Sequence, residues 1–592
     1  MFWTDLVKNF KSRDAVVIAI VGAAVTLLAF WGFSVCGTAA CHTALPVDGI
    51  EERLYASFKL AFGFGAGGYA LEKGDPVQLV FAQFTAYSYV AVYTSSAILI
   101  RNLRRDMRVA LAQHKSDHTI VCGLGDMGMQ VVQSLRDLDQ DAVVIDVQAE
   151  SSHVPTCERQ GVPFLKGDAK NIQTLRLAGI ARARTIVLCT GDDAENVEIA
   201  LRIKDEVTRN PRKHSERLLV LVEMRTDWLF ARLVDHGRGL GSDRVELRFF
   251  NGYDNTARLL MNRLIPRRDA TGFAVIGFGA MGRELTLHVV RNSPIEFGAT
   301  LNVTIFDRDA EHCERNLREA IPTLGEIAHL DFVAVDVQSD NPTAWQTVAG
   351  RLAGKSLLGV AVCIHDDDAG LYVALNIRDL LDRQGHRDVP VHVWLERHRY
   401  LGQLAASIED RGAANDSRMR PFGSLEELLS PDILVADKLD ILAKAVHENN
   451  RANLSPSQRG GDQDKPWEEL AERFKMSSRR DADHIPIRLR LCGLDIEKSD
   501  TPELIEFRPA ELKRIAQLYH QRYVIERRLL GWKYGKERNN AALLHPDVTT
   551  WEKLEPEARK GNIDRMRQLP KILADAGFEI VRVRDSGFAL PS

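Results

Sequence analysis

Apolar residues follow two contrasting patterns along this chain. Two stretches near the N-terminus, 15–36 and 77–100, contain no charged residue over 22 and 24 positions. At a rise of about 1.5 Å per residue, each is long enough to cross a hydrocarbon core of about 30 Å as a helix. After residue 117 the apolar runs are short and alternate with helical patterns, which predicts a parallel α/β sheet. The pattern therefore indicates a membrane hairpin followed by globular α/β domains.

The α/β pattern occurs twice, at 119–206 and 273–379. In each copy an apolar strand runs into a G-x-G-x-x-G turn, and a second and a third strand each end on an aspartate. These positions are Gly123, Gly125, Gly128, Asp146 and Asp168 in the first copy and Gly277, Gly279, Gly282, Asp307 and Asp336 in the second. A fourth strand leads into helices predicted over 197–204 and 371–378, and a further strand is predicted over 218–223. The offset between copies drifts from 154 to 168 residues, as in a duplicated fold.

The glycine turn has a specific physical role in nucleotide-binding half-domains. The first glycine permits a tight turn, the second lets a pyrophosphate approach backbone N–H groups, and the third lets the helix pack closely. The N-terminus of the following helix favours the negative charge, and the aspartate after the second strand can bond a ribose hydroxyl. Both copies are therefore predicted to bind NAD or an adenine nucleotide. The alternative is that the glycines serve packing alone.

Length and charge narrow the class of protein. The 592 residues allow about four domains. A formal net charge of −4, with no basic run in the globular part, argues against a nucleic-acid partner. Neither half-domain is followed by a recognisable substrate domain with a proton-relay side chain, so we expect the protein not to be an enzyme.

The cysteines and histidines do not form a recognisable metal site. Cys36 and Cys41 lie on the outer side of the predicted hairpin, where an oxidising compartment could join them. The six other cysteines lack C-x-x-C spacing and are predicted to be buried thiols. The runs His312–Cys313 and His365–Asp368 lack the partner spacing of a structural zinc site, so no metal is predicted.

Charged residues beside the two spans set the predicted orientation. Lys8, Lys11 and Arg13 precede the first span, and four arginines within 101–108 follow the second. By the positive-inside rule both termini are cytoplasmic, in a multi-pass protein of the plasma (inner) membrane. The second span is rich in amide and hydroxyl groups between residues 83 and 96. Such groups need partners within a lipid bilayer, which predicts a homo-oligomer; the alternative is a simple tethering hairpin whose hydroxyls bond their own helix.

The segment between the spans has the layout of a re-entrant pore loop. A helical pattern over 54–62 is followed by a glycine-rich segment and then by a return to the second span. Irregular backbone is tolerated at membrane depth where it lines a cavity. The candidate pore-loop residues are Gly63, Gly65, Gly67, Gly68 and Tyr69. An ordinary external loop with glycine-rich turns is the alternative.

Two spans with a pore-like loop, followed by the strand and glycine turn, resemble a two-transmembrane potassium channel with tandem cytoplasmic RCK (regulator of potassium conductance, TrkA N-terminal type) domains. The resemblance is strongest over 119–206. It implies a homotetramer whose RCK ring binds a nucleotide or ion and pulls on the inner helices of a pore for monovalent cations. One departure concerns the filter: the chain has Phe62-Gly63-Phe64-Gly65 and Gly67-Gly68-Tyr69 in place of a Thr-Val-Gly-Tyr-Gly-like run. Potassium selectivity therefore stays open.

Residues 511–583 resemble the ryanodine-receptor (RyR) repeat, which also occurs in bacterial proteins. The resemblance rests on Gly531-Trp532-Lys533-Tyr534-Gly535, His545-Pro546 and the run 576–582, with Trp551 where a tyrosine is commoner. It implies a small helical module that senses a ligand or a partner. The candidate ligand site is His520, Trp532, Tyr534 and Arg582, because aromatic rings and arginine can stack on a base and pair with phosphates. The alternative is that Trp532 and Tyr534 fill the core of the repeat.

The predicted fold class is an α-helical membrane hairpin with two α/β Rossmann-like (RCK) domains and a mainly helical RyR-repeat domain. The predicted bounds are 1–110 for the transmembrane region, 117–265 and 271–430 for the RCK domains, 431–500 for a helical connecting region and 501–592 for the RyR-repeat domain. The polar segment 449–465 is predicted to be a linker or mobile loop. We expect a ligand-gated membrane cation channel, of potassium type, or a channel-like transport protein. The alternative is a non-conducting or membrane-disrupting nucleotide sensor anchored by the hairpin.

Overall fold

The computed structural model divides the chain into two compact units, 1–110 and 111–592. The described residues are 49–61, 115–148, 152–210, 217–225, 243–267, 269–339, 341–396, 419–429, 438–456 and 458–583, with residue 77 and scattered positions between 23 and 34. In the first unit, helix α1 is Ile50–Ala61, which covers most of the helix predicted at 54–62.

The predicted membrane spans lie for the most part outside the described residues, as do the pore-loop candidates at 63–69 and the cysteine pair Cys36 and Cys41. Among the helices that the structure does describe, none combines the length and the apolar character needed to cross a bilayer.

The first α/β domain has a six-stranded parallel sheet. Its strands are β1 Thr119–Cys122, β2 Ala142–Asp146, β3 Phe164–Lys166, β4 Thr185–Leu188, β5 Leu218–Glu223 and β6 Val245–Phe250. Its helices are α2 Asp126–Asp137, α3 Val154–Arg159, α4 Ile172–Leu177, α5 Asp193–Arg209 and α6 Gly252–Arg263. The strand order β3-β2-β1-β4-β5-β6 is that of a Rossmann fold.

The second α/β domain repeats this topology. Its strands are β7 Gly272–Ile276, β8 Asn302–Asp307, β9 His329–Ala334, β10 Leu357–Val362, β11 Val391–Trp394 and β12 Met419–Phe422. Its helices are α7 Ala280–Asn292, α8 Ala310–Ala320, α9 Pro342–Leu352, α10 Asp367–Arg383 and α11 Leu425–Leu428. The order β9-β8-β7-β10-β11-β12 matches the first sheet strand for strand, so the predicted duplication is confirmed.

The spacing between the third glycine and the aspartate after it is longer in the second copy, at 25 residues from Gly282 to Asp307 against 18 from Gly128 to Asp146. Helix α7 has 13 residues and α2 has 12, so helix length accounts for little of the difference. The additional residues lie in the loop 293–301, which turns through Ser293 in the left-handed region at φ 39°. The longer spacing between Gly282 and Asp307 is therefore a loop insertion.

The two α/β domains exchange their last helices. Helix α6 follows the first sheet, yet Ala257, Leu260 and Met261 belong to the apolar core built around strands β7 and β8 and helix α7. Helix α11 follows the second sheet, yet Leu425 and Leu428 pack in the core of the first domain. Burial of these apolar faces holds the two domains together.

The C-terminal region is mainly helical. Its helices are α12 Ile441–Ala452, α13 Glu472–Asp483, α14 Ile485–Arg490, α15 Pro509–Leu529, α16 Pro556–Arg567 and α17 Leu569–Asp575, with strands β13 Leu494–Lys498, β14 Lys533–Tyr534, β15 Leu544–His545 and β16 Phe578–Arg582. Strands β13 and β16 pair antiparallel, across the predicted boundary at residue 501. Helices α14 and α15 share one continuous apolar core with α6 and α7.

The polar segment 449–465 is more ordered than the sequence predicts. Helix α12 continues to Ala452, and the imidazole Nε2 of His447 lies 2.8 Å from the backbone oxygen of Lys465. The guanidinium of Arg451 donates to the backbone oxygen of Asp464 at 2.9 Å. The described part of the segment is therefore a loop closed onto α12.

Candidate functional site

The first and third glycines of each turn are required by the fold itself. Gly123 has φ +101°, and an added Cβ would lie 2.3 Å from the backbone oxygen of Cys189. A Cβ on Gly128 would lie 1.9 Å from the backbone oxygen of Gly123. The second copy repeats both contacts, at 2.8 Å for Gly277, whose φ is +86°, and at 2.0 Å for Gly282. Packing alone accounts for these four glycines.

The second glycine of each turn is not required by backbone conformation or by packing. Gly125 has φ −78° and Gly279 has φ −66°, conformations that any residue adopts. A Cβ at either position would meet no atom within 4 Å, and both residues are exposed. A small residue is needed there only if something approaches the backbone from outside. This observation favours a binding role over the packing alternative.

The helix that follows each turn begins with backbone N–H groups that no side chain caps. Gly125 and Gly279 are the N-cap residues of α2 and α7, and neither helix has a side-chain cap bond. Helices α3 and α8 also lack a side-chain cap, whereas six helices of the two domains are capped by side chains, namely those of Asn171, Asp192, Asn251, Asn341, Asp366 and Ser424. Uncapped N–H groups and the helix dipole together form a site for an anionic group such as a pyrophosphate.

The aspartate after the second strand ties the glycine turn to the sheet. The carboxylate of Asp146 accepts from the backbone N–H of Leu124 and of Gln148, both at 2.6 Å. Asp307 accepts in the same way from Phe278 at 2.7 Å and from Asp309 at 2.8 Å. Each carboxylate oxygen has a further lone pair that can accept from a ribose hydroxyl. The predicted ribose ligand is therefore also a structural tether.

The aspartates after the third strand form matching turns. Asp168 accepts from the backbone N–H of Lys170 at 2.8 Å, and Asp336 accepts from that of Gln338 at 3.1 Å. All ten predicted nucleotide-binding residues lie at or just beyond the carboxyl ends of the first three strands of their copy. That edge, beside the switch point between β1 and β4 or between β7 and β10, is where doubly wound sheets bind ligands.

The described cysteines are packing residues. Cys122, Cys157, Cys189, Cys363 and Cys492 are buried, and Cys313 is half-buried. Burial raises the pKa of the thiols of Cys122 and Cys363, which lie on or just after central strands. A protonated thiol is a poor nucleophile and a poor metal ligand. The sequence prediction of buried thiols is confirmed for five of these six cysteines.

The four predicted RyR-repeat site residues have different surroundings. His520 is buried, with Nε2 2.8 Å from the backbone oxygen of Thr549. Arg582 forms an ion pair with the carboxylate of Glu511, including a 3.1 Å hydrogen bond. The side chain of Tyr534 is exposed. The hydrogen bonds of His520 and Arg582 to Thr549 and Glu511 give both residues a structural role that does not need a ligand.

Trp532 lies in a different aromatic group from the one predicted. Its ring is 6.1 Å from the ring of His545, and the guanidinium of Arg527 lies 5.5 Å from it. The same guanidinium lies 5.1 Å from the ring of Tyr523. The sequence did not predict this group, because Tyr523 and His545, whose rings are 6.1 Å apart, are separated by 22 residues along the chain.

A charged triad that the sequence analysis did not single out links α6 to α7. Nε2 of His288 lies 2.8 Å from Asp254 and 3.4 Å from Glu284. These three side chains could together ligate a metal ion. Burial opposes the charge on His288, but its hydrogen bonds to Asp254 and Glu284 outweigh burial and raise its pKa. Among the described residues, Nδ1 of His288 also has no acceptor, whereas a metal-bound histidine normally has one, so we interpret the triad as an ion cluster.

Residues 119–215 match the TrkA-N domain. The voltage-gated potassium channel Kch of Escherichia coli (strain K12) is 26% identical over 165 residues, which cover 23% of this chain and 40% of Kch. A protein of Methanothermus fervidus is 30% identical over 89 residues, which cover 15% of this chain and 14% of that protein. The chain thus spans less than half the length of either relative, and the matches concern the TrkA-N region rather than whole proteins.

Several solved structures resemble parts of the chain. The GsuK channel covers 72% of this chain and 97% of its own, with 14% identity and a TM-score of 0.39. GsuK bound to ADP gives the same coverage, with 13% identity and a TM-score of 0.38. The TrkA-N domain of the inner membrane protein ybaL from Escherichia coli covers 26% of this chain and 98% of its own, with 20% identity and a TM-score of 0.21. Because these TM-scores are all below 0.5, we assign the fold from the strand order of the chain itself.

Proposed function

We propose that the protein is a ligand-gated membrane cation channel, of potassium type, whose opening is controlled by a nucleotide bound to its TrkA-N domain. The observation that carries the proposal is the pair of exposed, sterically unneeded glycines, Gly125 and Gly279, at uncapped helix N-termini. Backbone N–H groups at such an end suit a pyrophosphate. The ligand we propose is NAD or an adenine nucleotide.

The nucleotide would bind across the carboxyl edge of the sheet. Its pyrophosphate would lie against Gly125 and the first turn of α2, and a ribose hydroxyl would donate to Asp146. Because Asp146 also holds the N–H of Leu124, a ribose bond there would act directly on the glycine turn. The matching bonds of Asp307 and Phe278 support the same proposal for the second domain.

The helix exchange offers a route from the nucleotide to the rest of the chain. Helix α2 packs against α11, which follows the last strand of the second domain. Helix α6, from the first domain, packs in the core that also contains α14 and α15 of the C-terminal region. A ligand that binds one arrangement of the two domains more tightly will shift the population toward it. Nucleotide binding would thereby change the conformation of the RyR-like region, and a ligand bound to the RyR-like region would change the affinity for the nucleotide.

The channel part of the proposal draws on sequence. The two charge-free stretches, the glycine-rich segment between them and the similarity of the TrkA-N region to the potassium channel Kch support it. We propose a homo-oligomer, a tetramer by the resemblance, in the inner membrane with both termini cytoplasmic. The RyR-like region would serve as a sensing module, and no enzymatic step is proposed.

Flux measurements on the full chain in liposomes test this proposal. We expect potassium or sodium flux that depends on an adenine nucleotide or NAD, and retention of a large trapped dye. Dye leakage under the same conditions would favour a membrane-disrupting effector instead. Absence of flux despite measured nucleotide binding would show an anchored, non-conducting sensor.

A further inference from the structure

A cleft of about 70 Å³ lies where the end of the first sheet meets three helices from separate parts of the chain. Its walls come from Phe249 on β6, from Asp254 and Arg258 on α6, from His288 and Arg291 on α7, and from Arg479, Arg480 and Asp483 on α13. The cleft is far smaller than a typical nucleotide or drug pocket of several hundred Å³. It suits one small polar group.

Arginine dominates the lining. Five arginines face the cleft and only three aspartates do. Two of the arginines are neutralised: Arg258 donates to Asp483 at 3.0 Å and to Asp440 at 3.1 Å, and Arg479 donates to Asp440 at 2.7 Å. These four groups form a closed network of hydrogen-bonded ion pairs, so they leave no charge for a ligand to balance.

Two other arginines of the lining, Arg291 and Arg480, lie outside this network. Arg291 has no hydrogen bond or ion pair to any residue in the described part of the chain. Within the described residues, Arg480 donates to the carboxylate of Glu526 at 3.4 Å, and that carboxylate also accepts from Arg522 at 2.5 Å. Burial and the neighbouring charge of Arg291 lower the pKa of Arg480. The charge of Arg291 acts on the carboxylates of Asp254, Glu284 and Glu526 from a distance, but the guanidinium donates to none of them. Two guanidinium groups that line one small cleft, one of them without a direct carboxylate contact in the described residues, can bind an anion.

We propose that this cleft binds a phosphate group through Arg291 and Arg480. The planar guanidinium forks of arginine match the oxygens of phosphate. The cleft is also lined by Asp254, whose carboxylate accepts from His288 and is exposed over 37% of its side chain. A carboxylate accepts a hydrogen bond from the P–OH of a protonated phosphate but repels sulfate, which carries no proton at neutral pH. The site should therefore prefer phosphate to sulfate.

The source of the phosphate is either free inorganic phosphate or the terminal phosphate of a small phosphorylated compound. In both cases the anion would join α7 of the second α/β domain to α13 of the C-terminal region. The charge of the ligand would replace the repulsion between Arg291 and Arg480 with two attractive contacts. Binding would thus hold the C-terminal region against the second domain, independently of the glycine turns.

Isothermal titration calorimetry of the full chain in detergent micelles tests the proposal. The protein would carry Gly125→Asp and Gly279→Asp, so that no nucleotide binds at the glycine turns. We expect inorganic phosphate or ADP to bind, and Arg291→Gln to weaken that binding about tenfold or more, because a charge-assisted hydrogen bond is lost. Sulfate at the same concentration should bind more weakly. Binding of phosphate alone identifies the free ion, and binding of ADP without phosphate identifies a phosphorylated compound.

Arg318→Gln is the matched control, since Arg318 is an exposed arginine of the same domain that pairs with Glu314 at 2.7 Å. It should leave phosphate affinity unchanged. Arg291→Gln should change the melting temperature of the ligand-free protein little, because its loss removes both the attraction of Arg291 to Asp254, Glu284 and Glu526 and its repulsion of Arg480. The proposal is overturned if neither phosphate nor ADP binds, or if the affinity is the same in Arg291→Gln, Arg480→Gln and the parent protein.

Discussion

Replacing Gly125 by aspartate should weaken nucleotide binding without lowering the stability of the fold. The Cβ of the new residue meets no atom within 4 Å, and the backbone at φ −78° and ψ −169° is the extended conformation usual for an N-cap residue. Aspartate is a better N-cap than glycine by a few tenths of a kcal/mol, since its carboxylate can accept from the uncapped N–H groups of α2. The ligand-free variant should therefore melt at the wild-type temperature or slightly above it.

The same carboxylate occupies the place proposed for the pyrophosphate. Two unit charges of like sign at about 4 Å repel by about 4 kcal/mol at an effective dielectric constant of about 20. That repulsion corresponds to about a thousandfold loss of affinity, and rotation of the side chain away from the ligand would leave a loss of about a hundredfold. Calorimetric titration of wild type and variant with ADP and NAD measures the ratio.

Gly128→Ala is the contrasting control in the same turn. Its added Cβ would lie 1.9 Å from the backbone oxygen of Gly123, so this variant should fold poorly rather than lose only the ligand. Gly279→Asp reports in the same way on the second domain. A Gly125→Asp variant that binds the same number of NAD molecules per chain as the parent protein, with the same affinity, would refute the assignment of the site.

Three further predictions concern buried polar groups outside the glycine turns. Arg258→Met should lower the free energy of unfolding by about 3–5 kcal/mol in urea melts, because it leaves Asp440 and Asp483 buried without their partner. The control is Arg202→Met, which removes an exposed ion pair with Glu198 and should lower the free energy of unfolding by less than about 1 kcal/mol. His392→Leu should raise stability by about 1–2 kcal/mol, because burial lowers the pKa of His392 to about 3 and neither ring nitrogen has a partner within the described residues; a lower melting temperature would show that packing of the ring matters more. The stability difference between wild type and His288→Gln should be largest below pH 6.5 and shrink as the pH rises through the raised pKa of His288, because Asp254 and Glu284 favour its charged form; a difference that is constant with pH would contradict the ion cluster.

Local patterns in the sequence predicted the α/β domains well. The strand 218–223 coincides with β5, and the predicted helices 197–204 and 371–378 lie inside α5 and α10. Apolar runs and glycine turns specify these elements through contacts that are close in sequence. The aspartates after the fourth strands, Asp192 and Asp366, have a role that the sequence analysis did not assign, since each caps the helix that follows it.

Contacts between distant segments could not be read from the sequence. The bond between Arg258 and Asp483 joins residues 225 positions apart, and the exchange of α6 and α11 depends on which apolar face meets which. Periodicity shows that a helix has an apolar face but not its partner. The phosphate cleft and the aromatic group around Trp532 escaped prediction for the same reason.

The most direct test of the central claim is nucleotide-dependent potassium flux in liposomes that contain the full chain, measured for wild type and for the Gly125→Asp, Gly279→Asp double variant. The account predicts flux that changes with added ADP or NAD in wild type and does not respond in the double variant. Flux that responds equally in both proteins would contradict gating through the glycine turns, and so would wild-type flux that ignores a nucleotide shown to bind.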